Sequence, residues 1–106
     1  MSSFDERKGA AMKQFTLNAE QEFKAEARRN KLLAHWAAPL AGRKDDVDAY
    51  ALEVIKSDFE EAGDDDVFRK VKADLEAAGA GISDAEIREK MDVFMNEARG
   101  QIAEGV

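Results

Sequence analysis

Basic side chains recur at helical spacing in the first half of this 106-residue chain. They stand at i, i+4, i+7 and i+11, so on one helix they occupy about 60° of arc. We call them the basic stripe: Lys24, Arg28, Lys31 and His35. Such a stripe can bind an anion such as the phosphates of a nucleotide, and His35 assists when protonated, since its ordinary pKa is about 6.5. It can equally pair with the chain's own carboxylates, and the spacing does not choose between these interpretations.

Polar residues also interrupt the apolar face of the same segment. Asn30 falls where a leucine is expected, which predicts either a hydrogen-bonded buried amide or part of the anion site. Arg29 and Trp36 are seven residues apart, so their side chains are close enough on a helix to stack. Trp36 points about 100° away from the centre of the stripe, and we therefore assign it mainly to the core.

Catalytic and metal chemistry have little support in the sequence. The chain has no cysteine and one histidine, and no serine or threonine stands at local spacing from that histidine. The glycines do not form a phosphate-binding loop, and the acidic run at Asp64, Asp65 and Asp66 lacks the ligand pattern of an EF-hand. We predict a protein that is not an enzyme, with no catalytic residue, no metal site and no required cofactor.

The charge is distributed unevenly along the chain. Residues 1–44 carry nine Lys/Arg against five Asp/Glu, whereas residues 45–106 carry seven against eighteen. Because nucleic-acid binding needs a basic surface, the acidic part argues against a nucleic-acid partner. No apolar run approaches 18 residues and the first residues are charged, so we expect a cytoplasmic protein that does not insert into a membrane.

Four segments show the 3.6-residue periodicity of amphipathic helices. Asn18 with Gln21, and Ser83 with Glu86, are capping-box pairs that mark helix starts, and Pro39 predicts a helix end near Ala38. The pattern predicts an all-α four-helix bundle over residues 18–106, monomeric when free, with helices at about 18–38, 46–61, 65–78 and 84–103. The residues predicted to be in its core include Phe59, Phe68, Leu75, Met91 and Phe94.

The first seventeen residues have a weaker pattern. Phe4, Ala11 and Phe15 align on a helix, but Gly9 interrupts it and the apolar stripe is narrow. We predict that residues 1–17 form a flexible arm that becomes helical against a partner. The alternative is a frayed terminus without a role.

Several short motifs occur in order along the chain. The longest is the ungapped run from Ala27 to Leu33, which is followed by Trp36-Ala37-Ala38. The others are Phe4-Asp5 with Arg7, Asp58-Phe59-Glu60, Gly63-Asp64, Asp66-Val67-Phe68, Lys70-Val71, Ala73-Asp74-Leu75, Ser83, Ile87-Arg88 and Lys90-Met91. In these motifs, and most strongly in the ungapped run, the chain resembles the zeta subunit of alphaproteobacterial F-type ATP synthases.

The resemblance implies a four-helix regulatory subunit that inhibits ATP hydrolysis by the catalytic head of the synthase. It implies an inhibitory arm that wedges into a catalytic interface beside the rotor, peripheral to the inner membrane, and ADP or ATP as a regulatory ligand of the bundle. Candidate arm residues are Phe4, Asp5, Arg7, Lys8, Met12 and Phe15, and candidate nucleotide-binding residues are Lys24, Arg28, Arg29, Asn30, Lys31 and His35. A nucleotide sensor outside the synthase and a plain helical adaptor are the alternatives.

Overall fold

A computed structural model describes residues 16–105 as four α-helices. They are α1 (Ala19–Leu40), α2 (Val47–Ser57), α3 (Asp65–Ala77) and α4 (Asp84–Ala103). No strand occurs within this part of the chain, which confirms the prediction of an all-α four-helix fold. The predicted arm, apart from its last two residues, lies outside the described residues.

Helix α1 begins as predicted and ends two residues later than predicted. Asn18 accepts a hydrogen bond from the Gln21 amide at 2.8 Å, and the Gln21 side chain accepts one from the Asn18 amide at 3.1 Å. Pro39 does not end the helix, because the amide of Ala41 closes the last turn on the carbonyls of Ala37 and Ala38 at 2.8 and 3.1 Å. The chain then leaves the helix at Gly42, whose φ of 77° is accessible to glycine at little cost.

Helix α2 is shorter than the predicted range of 46–61. After Ser57 the amides of Asp58 and Phe59 bond three residues back, to Ile55 at 3.2 Å and Lys56 at 3.1 Å, which tightens the last turn. The chain then continues as an irregular connection to α3.

The two later helices begin differently from each other. Ser83 Oγ accepts the Glu86 amide at 3.1 Å, as the sequence predicts for α4. At α3 the side chain of the preceding residue, Asp64, makes no capping hydrogen bond. Asp66 instead accepts the amides of Glu61 at 3.1 Å and Val67 at 2.8 Å, so it fastens the connection to the helix.

Helix α1 is the centre of the packing. It packs against each of the other three helices, most extensively against α4 and α2. Its buried residues include four alanines, and small side chains let the neighbouring helices approach closely. The core cluster consists of Leu33, Ala34, Ala37, Ala38, Tyr50, Ala51, Val54, Val67, Val71, Leu75, Ile87 and Met91.

The core prediction is correct for Leu75 and Met91, which are both 1% exposed. Phe68 and Phe94 are only partly buried against the cluster, as is Trp36. Phe59 is 66% exposed, so its assignment to the core is wrong. The reason is the early end of α2: Phe59 lies beyond the last helical turn and does not continue the apolar stripe of that helix. None of the helices between residues 16 and 105 is long and apolar enough to cross a membrane.

Candidate binding surface on helix α1

The basic stripe lies on the outer face of α1. Lys24, Arg28 and Lys31 line one shallow hollow of about 380 Å³ together with Phe23, Ile55 and Ile102. His35 is exposed but is not among the residues that line this hollow. The structure therefore brings three of the four stripe residues together beside an apolar floor.

The stripe makes polar contacts both within α1 and with α4. Lys24 Nζ lies 3.4 Å from Glu20 on the same helix, and both side chains are well exposed. Arg28 Nη1 donates to Gln101 Oε1 of α4 at 3.2 Å. Lys24 thus pairs within its own helix and not with the acidic second half of the chain.

Arg29 and Asn30 face inward. They are 3% and 1% exposed, respectively. Arg29 Nε donates to Asn30 Oδ1 at 2.6 Å, and Asn30 Nδ2 donates to Asp58 Oδ2 at 2.9 Å. The guanidinium also lies 3.6 Å from Asp58 and 3.5 Å from Asp64. This geometry is the hydrogen-bonded buried amide that was one of the two interpretations of Asn30, and it commits both side chains to the bundle.

Carboxylates gather around this buried pair. Burial raises the pKa of Asp58, and the charges of Asp66 and Asp64 raise it further, against the hydrogen bond from Asn30 and the charge of Arg29. Burial also raises the pKa of Glu26, with Asp58 adding to the effect. The Arg29 charge is therefore shared among several carboxylates.

An apolar strip lies next to the stripe, between α1 and the end of α2. It consists of Phe23, Ala27, Ile55 and Phe59, and the rings of Phe23 and Phe59 are 6.2 Å apart at an interplanar angle of 40°. With Glu26, Asn30 and Asp58 these residues line a second hollow of about 250 Å³. Helical periodicity does not predict this strip, because it places Phe59 in the core.

A second charged cluster joins α2, α3 and the connection between α1 and α2. Arg43 bonds Asp46 and Glu53, and Lys70 bonds Glu53 and Asp74. Hydrogen bonds from Arg43 and then Lys70 lower the pKa of Glu53 to about 2. Arg43 and Lys70 also lie over the ring of buried Tyr50, at 5.2 and 5.4 Å from its centroid. These contacts hold α2, α3 and the connection between α1 and α2 together.

Metal ligation has no geometric support in the described part of the chain. Between residues 16 and 105 no three His, Cys, Asp or Glu side chains are grouped closely enough to hold a metal ion. The six candidate arm residues, from Phe4 to Phe15, lie outside the described residues.

Fold and surface together define a small all-α protein with charged and apolar area on one helix pair. The sequence matches the family ATPase inhibitor subunit zeta over residues 1–101, and the chain belongs to that family. No curated protein matches the chain. The match confirms the resemblance to the zeta subunit, and the description of the family is that of an ATPase inhibitor subunit.

Proposed function

We propose that this protein inhibits ATP hydrolysis by the catalytic head of an F-type ATP synthase and that its first seventeen residues carry the inhibition. The observation that supports this most is the family match, which covers 1–101 and so includes the arm as well as the bundle. The protein acts from the cytoplasmic side, bound to the head at a catalytic interface beside the rotor, without inserting into the membrane.

The arm has few apolar side chains, and each therefore contributes a large share of its binding energy. Ordering a segment costs about 1–2 kcal/mol per residue in backbone freedom, which only buried anchors and charge pairs can offset. Phe4 and Phe15 are the expected anchors, with Met12 beside them. Arg7 and Lys8 meet acidic groups of the cleft, and Asp5 accompanies them.

The decisive experiment measures ATP hydrolysis by the isolated head at increasing concentrations of this protein. We expect wild type to inhibit and the variant Phe4→Ser, Phe15→Ser to lose most inhibition, while Gln14→Ser, a polar exchange in the same arm, inhibits like wild type. A chain that begins at Asn18 should lose inhibition as well, with circular dichroism reporting its fold. Equal inhibition by wild type and the double variant contradicts the role of the arm.

We also propose that the hollow of the basic stripe binds ADP or ATP weakly, as a regulatory ligand. Lys24, Arg28 and Lys31 supply positive charge for the phosphates. Phe23 and Ile55 form an apolar floor against which the flat base can pack, and this supports the proposal. His35 stands at the end of the stripe, outside the residues that line the hollow. Because the hollow is shallow, we expect micromolar to millimolar affinity, equivalent to roughly 4–8 kcal/mol. Arg29 and Asn30 are not assigned to this site, since their side chains bond within the bundle.

An ADP titration followed by amide NMR shifts tests this site. We expect shifts in α1 of wild type and at least a several-fold weaker affinity in Lys24→Ala, Lys31→Ala. The control Lys44→Ala, Lys56→Ala removes the same charge from exposed positions elsewhere and should bind like wild type. Equal weakening in both variants indicates a general effect of net charge and contradicts a specific site. If the protein binds ADP but does not inhibit the head, the result favours the nucleotide sensor. If it neither binds ADP nor inhibits the head, the result favours the adaptor.

A further inference from the structure

Two exposed aromatic residues lie together at the apolar strip. Five large hydrophobic residues are exposed among residues 16–105, and two of them, Phe23 and Phe59, belong to this strip. Phe23 and Phe59 are 57% and 66% exposed and contact each other through their rings. An exposed pair of aromatic rings beside apolar side chains is typical of an interaction surface.

Opposite charges border this apolar strip on its two sides. Glu26 and Asp58 line the hollow on one side, and Lys24, Arg28 and Lys31 line the hollow on the other. Phe23, Ala27 and Ile55 line both hollows and so form the boundary between them. On an ideal helix Glu26 and Lys31 lie on opposite sides of the line through Phe23 and Ala27, so the division follows from the sequence spacing of α1.

We propose that the apolar strip is a docking surface for an amphipathic α-helix of the synthase head. The partner helix has an apolar stripe, basic side chains on the edge that meets Glu26 and Asp58, and acidic side chains on the edge that meets Lys24 and Lys31. This inference rests on the proposed function and adds a second contact, made by the bundle, to the contact made by the arm.

The location of the strip supports this partner. The arm joins the bundle at Asn18, and Phe23 lies five residues further on, in the second turn of α1. A surface that docks beside the root of the arm holds the arm close to its own binding site, which raises its effective concentration there. The charged borders fix the direction of the partner helix and accelerate association.

The test uses the full-length chain with the isolated catalytic head and measures both binding and inhibition of hydrolysis. We expect Phe23→Ser, Phe59→Ser to raise the half-inhibitory concentration at least tenfold, because aromatic anchors at the centre of an interface contribute most of its affinity. The control Leu40→Ser, Val93→Ser replaces two exposed apolar residues outside the strip and should inhibit like wild type. Glu26→Lys should weaken inhibition several-fold, with the effect decreasing as salt concentration rises.

The outcomes separate this proposal from the function on which it rests. If wild type inhibits and the Phe23→Ser, Phe59→Ser variant inhibits as well as wild type does, the docking surface is wrong and the inhibitor function stands. If wild type neither binds nor inhibits the head, both are wrong. Sedimentation measures the oligomeric state. If wild type is a dimer and the Phe23→Ser, Phe59→Ser variant is a monomer, the strip binds a second copy of the chain and the proposal is overturned. Urea unfolding monitors the fold, and the single variant Phe59→Ser, in the exposed connection, replaces the double variant if that one unfolds.

Discussion

A buried arginine connects the central helix to the chain that follows α2. Arg29 is 3% exposed and lies near both Asp58 and Asp64, at the two ends of the connection between α2 and α3. Removing one partner of a buried ion pair usually costs more than the pair contributes, because the other charge remains without compensation. The stability of this corner therefore depends on keeping its charges together.

Replacing Arg29 by methionine should destabilise the protein by about 3 kcal/mol, since Asp58 then remains buried among other carboxylates. Urea unfolding measures this loss. Lys31→Met removes a charge from the exposed face of the same helix and should change stability by less than about 0.5 kcal/mol. The double variant Arg29→Met, Asp58→Asn should recover part of the loss, and no recovery indicates that the packing of Arg29, and not its charge, is what matters.

Glu53 makes the protein sensitive to strong acid. Hydrogen bonds from Arg43 and Lys70 lower its pKa to about 2. Because the folded state holds this proton more weakly than the unfolded chain, the stabilisation is complete above the ordinary pKa of Glu, about 4.5, and is lost as pH falls towards 2. We expect the free energy of unfolding to decrease over this window and to decrease less in Glu53→Gln, as urea titrations at several pH values will show. The side chain is 41% exposed, so solvent screening reduces the effect.

Asp58 and Glu26 affect the pH dependence of stability in the direction opposite to that of Glu53. Their pKa values are raised, chiefly by burial, so the folded state binds their protons more tightly than the unfolded chain does. Their contribution to stability therefore falls as pH rises from the ordinary carboxyl range through their raised pKa values. An Asp58→Asn, Glu26→Gln variant should show a steeper loss of stability on acidification than wild type, because this compensating effect is gone. Parallel pH profiles for the two proteins contradict this expectation.

At the level of the elements, local capping signals mark where α1 and α4 begin. Asn18→Ala removes the side-chain acceptor of the Gln21 amide and should cost about 1 kcal/mol, whereas Asn18→Gly should cost only a few tenths. Ser83→Ala should cost a similar amount at the start of α4. Thermal or urea unfolding measures all three. Equal stability of Asn18→Ala and wild type indicates that the residues before α1 satisfy the free amides instead.

The sequence predicts the start of a helix where the signal lies within a few residues. It does not predict a contact that depends on a residue far along the chain. Asn18 with Gln21 and Ser83 with Glu86 are three residues apart, and both starts are correct. Just after the end of α2, Asn30 bonds Asp58, which is 28 positions further along the chain, and helical periodicity cannot predict such a contact. The polar Asn30 on an apolar arc was the one signal of this network. Its partner could not be identified from the sequence.

For the whole molecule, burial and not residue type predicts which truncations destabilise. Leu75→Ala removes a side chain that is 1% exposed and should cost about 2–5 kcal/mol. Phe59→Ala removes a larger side chain that is 66% exposed and should cost less than about 1 kcal/mol. Urea unfolding of both variants checks this order. A larger loss for Phe59→Ala places its ring in the core after all.

The capping box at the start of α1 also fixes where the bundle begins. Asn18 has an extended backbone, with φ −77° and ψ 175°, and its side chain occupies the Gln21 amide. A helix in the arm cannot continue into α1 without breaking both bonds of the box. We therefore expect sequence changes before Asn18 to leave the stability of the bundle unchanged. The segments before Asn18 of related chains should accordingly be exchangeable at this junction without a change in the fold of the bundle.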